Sequence, residues 1–229
     1  MRPHQFRSAL ACALIVLMAV LAFAGPAAAA SAAKKRDPDP VALLATDALS
    51  ALGVLNSARA AHQVDLAGVG VEVGIDEVDY ATSAYSQALA RLADAVSPRA
   101  PSTVPSPLAA IWVSTSEARM IVVLSALAQV GTPYRYAGAA PGAFDCSGLV
   151  QWSWSQIGVS LPRSARSQIT VAAARKSFEL RAGDIVYHKN HVSMYLGAGN
   201  AIVNAPETGK RVEIRDWGRR DTQFGSPIT

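Results

Sequence analysis

The sequence predicts an α+β protein whose mainly antiparallel sheet packs on helices and is preceded by an α-helical hairpin. Two observations carry this. Apolar residues recur at spacings of three and four in two stretches of the first hundred residues, Val41, Leu44, Ala48, Leu52, Leu55 and then Tyr85, Leu89, Leu92, Val96, the period of one-sided helices. The last hundred residues instead run helix first and short strands later, an order that favours segregated helices and an antiparallel sheet.

Taken in order, residues 1–30 read as a secretory signal peptide. Arg2, His4 and Arg7 precede an uncharged run from Ala9 to Gly25, and Ala27 to Ala30 supply small residues for cleavage. The run falls short of the ~20 residues that span a bilayer, so a membrane attachment is expected only if the signal stays uncleaved. Residues 31–96 form the hairpin region. It opens on a tether of Ala, Lys, Asp and Pro up to Pro40, and its two stripes bury each other around an interruption, Leu66 to Asp79, that holds Gly68, Gly70 and Gly74. Residues 97–110 read as a proline-rich linker, because Pro98, Pro101, Pro105 and Pro107 favour an extended spacer.

Residues 111–229 then form the main domain. Glu117 to Val130 is expected to be a helix that stops at Gly131, with Pro133 beyond it. Cys146 opens a second helix through Leu149, Val150, Trp152, Trp154 and Ile157. Asp184–His188, Val192–Leu196, Ala201–Asn204 and Arg211–Ile214 are short strand candidates separated by Gly, Asn and Pro. The chain after Trp217 leaves little for a final strand.

Composition narrows the function classes. With 51% hydrophobic and 17% charged residues, the 229-residue chain is no disordered protein. The net charge is +4, with 17 acidic residues interspersed among 21 basic ones, so no polybasic face exists for nucleic acid. Removing the signal also removes Cys12 and leaves Cys146 as a lone thiol, which excludes an intramolecular disulfide. Such a thiol is either a small buried hydrophobe or a reactive group. Asp145 and Ser147 on either side are poor company for a core residue.

At the first turn of a helix, Cys146 meets unpaired backbone N–H groups and the positive end of the helix dipole, a setting that suits a nucleophile. Its own N–H can then donate to a developing oxyanion. A base is needed, and the mature chain offers His62, His188 and His191. His62 lies in the hairpin. His188 and His191 flank the turn Lys189-Asn190, and His191 opens a strand, where sheet geometry can fix the ring. No third cysteine or carboxylate cluster completes a metal-ligand set with them, and the reading requires no cofactor. Asn204 or Glu207, both near Pro206, could hold the imidazole through its other nitrogen.

Six blocks can then be read together: Gly131-Thr132-Pro133-Tyr134-Arg135-Tyr136, Asp145 to Val150, Leu161-Pro162-Arg163-Ser164, Leu180 to Val186, His191 to Gly197, and Asn204-Ala205-Pro206. In this order they resemble the NlpC-type family of bacterial cell-wall cysteine peptidases, over roughly Glu117 to Ile214. The resemblance implies a papain-like α+β domain, secreted to the cell wall or periplasmic space. It also implies hydrolysis of peptidoglycan stem peptides, typically between D-glutamate and diaminopimelate. Cys146 matches the nucleophile, His191 the base and Tyr134 the tyrosine near the oxyanion, while Asp145 and Ser147 match substrate-facing positions. Asn204 stands where the family most often has His. The alternatives are a peptidoglycan-binding module without hydrolysis and an acyltransferase or amidase on the same fold. The hairpin would locate or restrain the enzyme, offering a surface for a cell-wall protein, and would supply no catalytic group.

Overall fold

A computed structural model describes residues 37–66, 75–218 and 221–228. The signal segment and most of the glycine-bearing interruption lie outside the described residues. Two long helices come first, α1 (Pro40–Leu66) and α2 (Ile75–Val96). Their stripes are the buried ones: Val41, Ala45, Ala48, Leu52 and Leu55 of α1 meet Ala81, Tyr85, Leu89, Leu92 and Val96 of α2. Burial of Tyr85 pushes its hydroxyl up to about 12, and the nearby Glu117 carboxylate adds to the rise.

The proline-rich segment differs from the extended linker that its composition suggests. Ser97–Arg99 form a 3-10 turn, and α3 begins at Pro105 and runs to Ser114. Proline lacks the N–H that a helix start leaves unpaired, and its fixed φ suits the first turn, so these prolines open helices. Residues 97–110 are therefore packed: Ala100 and Leu108 are fully buried. Ser102 N–H donates to Asp216 Oδ2 at 2.9 Å, and Asn200 N–H donates to Ser102 Oγ at 2.6 Å. Trp112 of α3, with no exposed surface, donates its indole N–H to Leu196 O at 2.6 Å. The hairpin packs on α3 and on α4 (Glu117–Leu127), and its buried residues are continuous with the main hydrophobic core. Pro38–Thr229 is one compact unit.

After α4, which ends three residues before the expected stop, Gly131 takes a left-handed φ of +88°. A short ribbon of β1 (Ala139–Ala140) and β2 (Ala143–Phe144) leads into α5 (Cys146–Ser155), then α6 (Ala165–Val171). The six-stranded sheet comprises β3 (Ala173–Arg175), β4 (Ile185–His188), β5 (His191–Tyr195), β6 (Ala201–Asn204), β7 (Glu213–Asp216) and β8 (Gln223–Ser226). Its order is β3-β8-β4-β5-β6-β7 and every neighbour is antiparallel. The sequence leaves little for a final strand after Trp217, yet β8 forms there and pairs with both β3 and β4. The sequence Gln-Phe-Gly-Ser lacks the β-branched signature, and what selects it is the open edge of β4.

Helices α5 and α6 cover one face of the sheet. Val192 and Met194 point into the main core, whereas Val186, Tyr195 and Ile202 form a second cluster with Leu180, Trp217 and Phe224 on the other face. A buried ion pair joins the layers. Arg119 of α4 donates from Nη1 to Asp184 Oδ1 at 2.8 Å and to Ala182 O at 2.9 Å, and from Nη2 to Ser226 Oγ at 2.6 Å. Asp184 Oδ2 accepts from Arg181 N–H at 2.9 Å, and the Arg119 guanidinium lies 6.0 Å from the Trp154 ring centre.

Removing one partner of such a pair strands a buried charge, which costs about 3–5 kcal/mol. Arg119→Met is therefore expected to lower the thermal midpoint by many degrees, and Arg119→Met with Asp184→Asn to recover part of that loss. A single variant as stable as the parent would show that the pair does not join the layers.

Candidate active site

Helix α5 starts where it does because Asp145 caps it. The Asp145 backbone is extended, its Oδ1 accepts from Gly148 N–H at 2.7 Å, and its carbonyl accepts from Leu149 N–H at 3.0 Å. The N–H groups of Cys146 and Ser147 have no carbonyl one turn back, so they remain for a ligand at the helix start. Cys146, the first helical residue, is half-buried and its thiol is free. Helix and ribbon approach closely here: a Cβ on Gly148 would lie 1.9 Å from Gly138 O, so only glycine fits. The same Gly138 carbonyl accepts from Asp145 N–H at 2.9 Å.

Asp145 and Ser147, both buried, are committed to protein partners. Arg163 donates from Nη1 to Asp145 Oδ1 at 2.9 Å and to Ser147 Oγ at 2.8 Å, and its Nη2 reaches Asp145 Oδ2 and, at 3.3 Å, Gly138 O. Burial by itself would raise the Asp145 carboxyl. The hydrogen bonds and charge of Arg163, with those from Gly148 N–H and Ser147, outweigh it and hold the group below the ordinary carboxylate range. Asp145 in turn raises Arg163, chiefly through their hydrogen bonds. Arg163 belongs to the third of the six blocks, Leu161-Pro162-Arg163-Ser164. Sequence reading quotes it without a role, since nothing local shows that it reaches back 18 residues to the cap.

Tyr134 is half-buried in the segment ahead of β1, where it bridges to Phe144. Burial, then the neighbouring Cys146 and Asp145, push its hydroxyl above its usual value, so it stays a donor at neutral pH.

His191 opens β5 directly after a two-residue turn. Lys189 and Asn190 both take positive φ, 42° and 63°, the pattern of the tight hairpin turns that match strand twist, and His188 pairs with His191 across it. On the next strand Asn204, 1% exposed, places Oδ1 3.2 Å from His191 Nε2. An amide oxygen only accepts, so Nε2 is the donor in this contact, and Nδ1 is the nitrogen that a neutral ring offers as a base. Asn204 Nδ2 is buried without a partner, so the amide is retained at some cost. Of the other sequence candidates, Glu207 and His188 line a cleft of about 380 Å³ with His191, Ser193 and Arg215 on the outer face of the sheet, and His62 lies on α1, part of the hairpin. The arrangement thus supplies a thiol at a helix start, helix-start N–H donors, a phenolic donor beside the thiol, and an imidazole with its tautomer set.

Residues 131–223 match the sequence model of the NlpC/P60 family. The chain carries an NlpC/P60 domain. It is 34% identical over 145 residues to a probable endopeptidase of Corynebacterium glutamicum, covering 61% of this chain and 66% of that protein. It is 30% identical over 115 residues to the peptidoglycan endopeptidase RipA of Mycobacterium tuberculosis, covering 43% of this chain and 24% of RipA. The P60 domain of an antigen from M. avium subspecies paratuberculosis superposes with a TM-score of 0.46 at 23% identity, over 49% of this chain and 96% of that one. The chain thus spans at most about two thirds of the length of these two sequence relatives. Within the NlpC/P60 domain lie Tyr134, Cys146, His191 and Asn204.

Because the Asp145 carboxyl is depressed, the cap is stable above the ordinary carboxylate range of ~4 and is lost as pH falls through the lower folded value. Arg163→Met leaves burial as the main influence and raises that value. The acid-side fall in thermal midpoint should then begin at higher pH than in the parent, and Arg163→Lys should restore part of the difference. Coincident midpoint–pH curves for parent and Arg163→Met would overturn this account.

Proposed function

We propose that this chain is an exported cysteine endopeptidase that hydrolyses peptidoglycan stem peptides, at the bond between D-glutamate and diaminopimelate, through Cys146, His191 and Asn204. The observation that carries the reading is the His191 Nε2–Asn204 Oδ1 contact at 3.2 Å, which leaves Nδ1 as the basic nitrogen in a domain whose free thiol opens α5. Its membership of the NlpC/P60 family and the endopeptidase names of its relatives support the substrate class.

In the proposed reaction, Cys146 Sγ attacks the amide carbon and its proton passes to His191 Nδ1. Charge developing on the carbonyl oxygen is met by the Cys146 N–H and the Tyr134 hydroxyl. Collapse breaks the C–N bond, and the imidazolium protonates the departing amine. Water, deprotonated by the same imidazole, then attacks the thioester and frees the thiol. Asn204 holds the ring but, being neutral, stabilises the imidazolium less than a carboxylate would. Asp145 and Ser147, both buried, act on substrate only through the exposed Arg163 that they hold beside the helix start.

Digestion of purified peptidoglycan followed by mass analysis tests the reading. Fragments with a new free γ-carboxyl on D-glutamate and a new amine on diaminopimelate are expected; intact wall, or a different cleavage, would reject it. Cys146→Ala and His191→Ala should each abolish release while the domain stays folded, because nucleophile and base act as a unit.

Asn204→Ala should slow turnover only about tenfold, the kinetic equivalent of a hydrogen bond worth ~0.5–1.5 kcal/mol. Steady-state rates on a soluble stem peptide measure this, and a loss at Asn204 equal to that at His191 would contradict the assigned order.

A further inference from the structure

A second groove, of about 370 Å³, runs between α5, β1 and the loop that follows the helix. Its walls are Ala139 of β1, then Gln151, Trp152 and Ser155 of α5, and the loop from Gly158 to Leu161. It adjoins the candidate active site through both ends of its wall. Ala139 follows Gly138, whose carbonyl meets Asp145 and Arg163, and Leu161 lies two residues before Arg163.

The chemistry of the lining is specific. None of its side chains is charged. Trp152 is half-buried, and its ring is held at 5.4 Å and 52° against Phe144, so its plane is fixed. Its indole N–H has no partner among the described residues, although the other end of the ring is packed. Gln151 spends its Nε2 donor on Leu161 O at 2.7 Å, which fixes the amide and leaves Oε1 as an acceptor. The Ser160 hydroxyl, on the exposed loop, adds a donor and acceptor. An oriented aromatic face ringed by neutral donors and acceptors suits a ligand with one apolar face and many hydroxyl or amide groups. A stem peptide carries carboxylates, and within this lining they would meet no cation.

We propose that this groove is a subsite for the glycan strand of the wall, binding an N-acetylhexosamine ring against Trp152. At about 370 Å³ it lies at the low end of the ~300–1,000 Å³ range of small-ligand sites, room for one or two sugar rings. The choice of glycan rests on the peptidoglycan reading above; the existence of the subsite does not depend on hydrolysis. Seating the glycan here would hold the stem peptide attached to it near the helix start that bears Cys146.

The probe is a β-1,4-linked N-acetylglucosamine tetramer, titrated into the full chain carrying Cys146→Ala and followed by calorimetry and tryptophan fluorescence. Saturable binding is expected. Trp152→Ala should weaken it about tenfold or more, the scale of a buried aromatic anchor. Ser160→Trp, at an exposed loop position that leaves folding unaffected, should fill the groove and block binding. A titration without saturation, or one unchanged by both substitutions, overturns the subsite, as does tighter binding of a sugar-free stem peptide to the same groove. Because this protein cannot turn over, these outcomes are separate from the digestion result.

Discussion

The Arg119–Asp184 pair is the joint on which the two halves of this protein hang. Every donor that Arg119 directs inward has a destination: Asp184 ahead of β4, the Ala182 carbonyl in the same turn, and Ser226 in β8. One guanidinium therefore fixes the distance between α4, the strand that leads to the His191 turn, and the strand beside it. Trp154 of α5 completes the joint by donating to Gly183 O at 3.2 Å. The helix that begins with Cys146 and the hairpin that presents His191 are thus both referred to the same buried charge. In an apolar interior such a pair gains little net stability, and its value lies in permitting one arrangement only.

A comparable economy governs the start of α5. Asp145 caps the helix, holds Arg163 and fixes Ser147, while the missing side chain at Gly148 lets the ribbon carbonyl of Gly138 come close enough to complete the set. Depressing the Asp145 carboxyl keeps the cap ionised, and the adjoining Arg163 offsets the negative charge that would otherwise face the thiol residue. The free helix-start N–H groups and the phenol of Tyr134 then border the same half-buried sulfur.

What could be read in the chain follows from how local each signal is. The helical stripes of α1 and α2 are legible because one face repeats within a single element, and Leu52, Leu89 and Leu92 fall where the period puts them. Cys146, His191 and Asn204 are legible by residue type and by the strand and helix starts that they mark. The prolines near residue 100 mislead because the same residue that ends one helix can begin another, and only packing distinguishes the two. β8 is silent in sequence because its partners, β3 and β4, lie far back in the chain. Arg163 is visible as a residue but not as a partner: its acceptors lie in two segments, at Gly138 and at the helix start of Asp145 and Ser147, that meet it only in the folded state.

The position of β8 also has a bearing on the order in which the molecule can be made. Arg119 waits for Ser226, 107 residues later, and β4 pairs with Gln223 to Gly225 before β3 can join the sheet. During vectorial synthesis the hairpin helices emerge early and can pair with each other at once, but β3 stays detached from the other strands until residues 223–226 arrive between it and β4. Contacts of such long sequence separation are slow to form, since the loop entropy must be met before any pairing rewards it. The thiol-bearing helix therefore acquires its final setting only after β8 has been made, and a nascent chain carries Cys146 without its assembled surroundings over the whole stretch from Cys146 to Ser226.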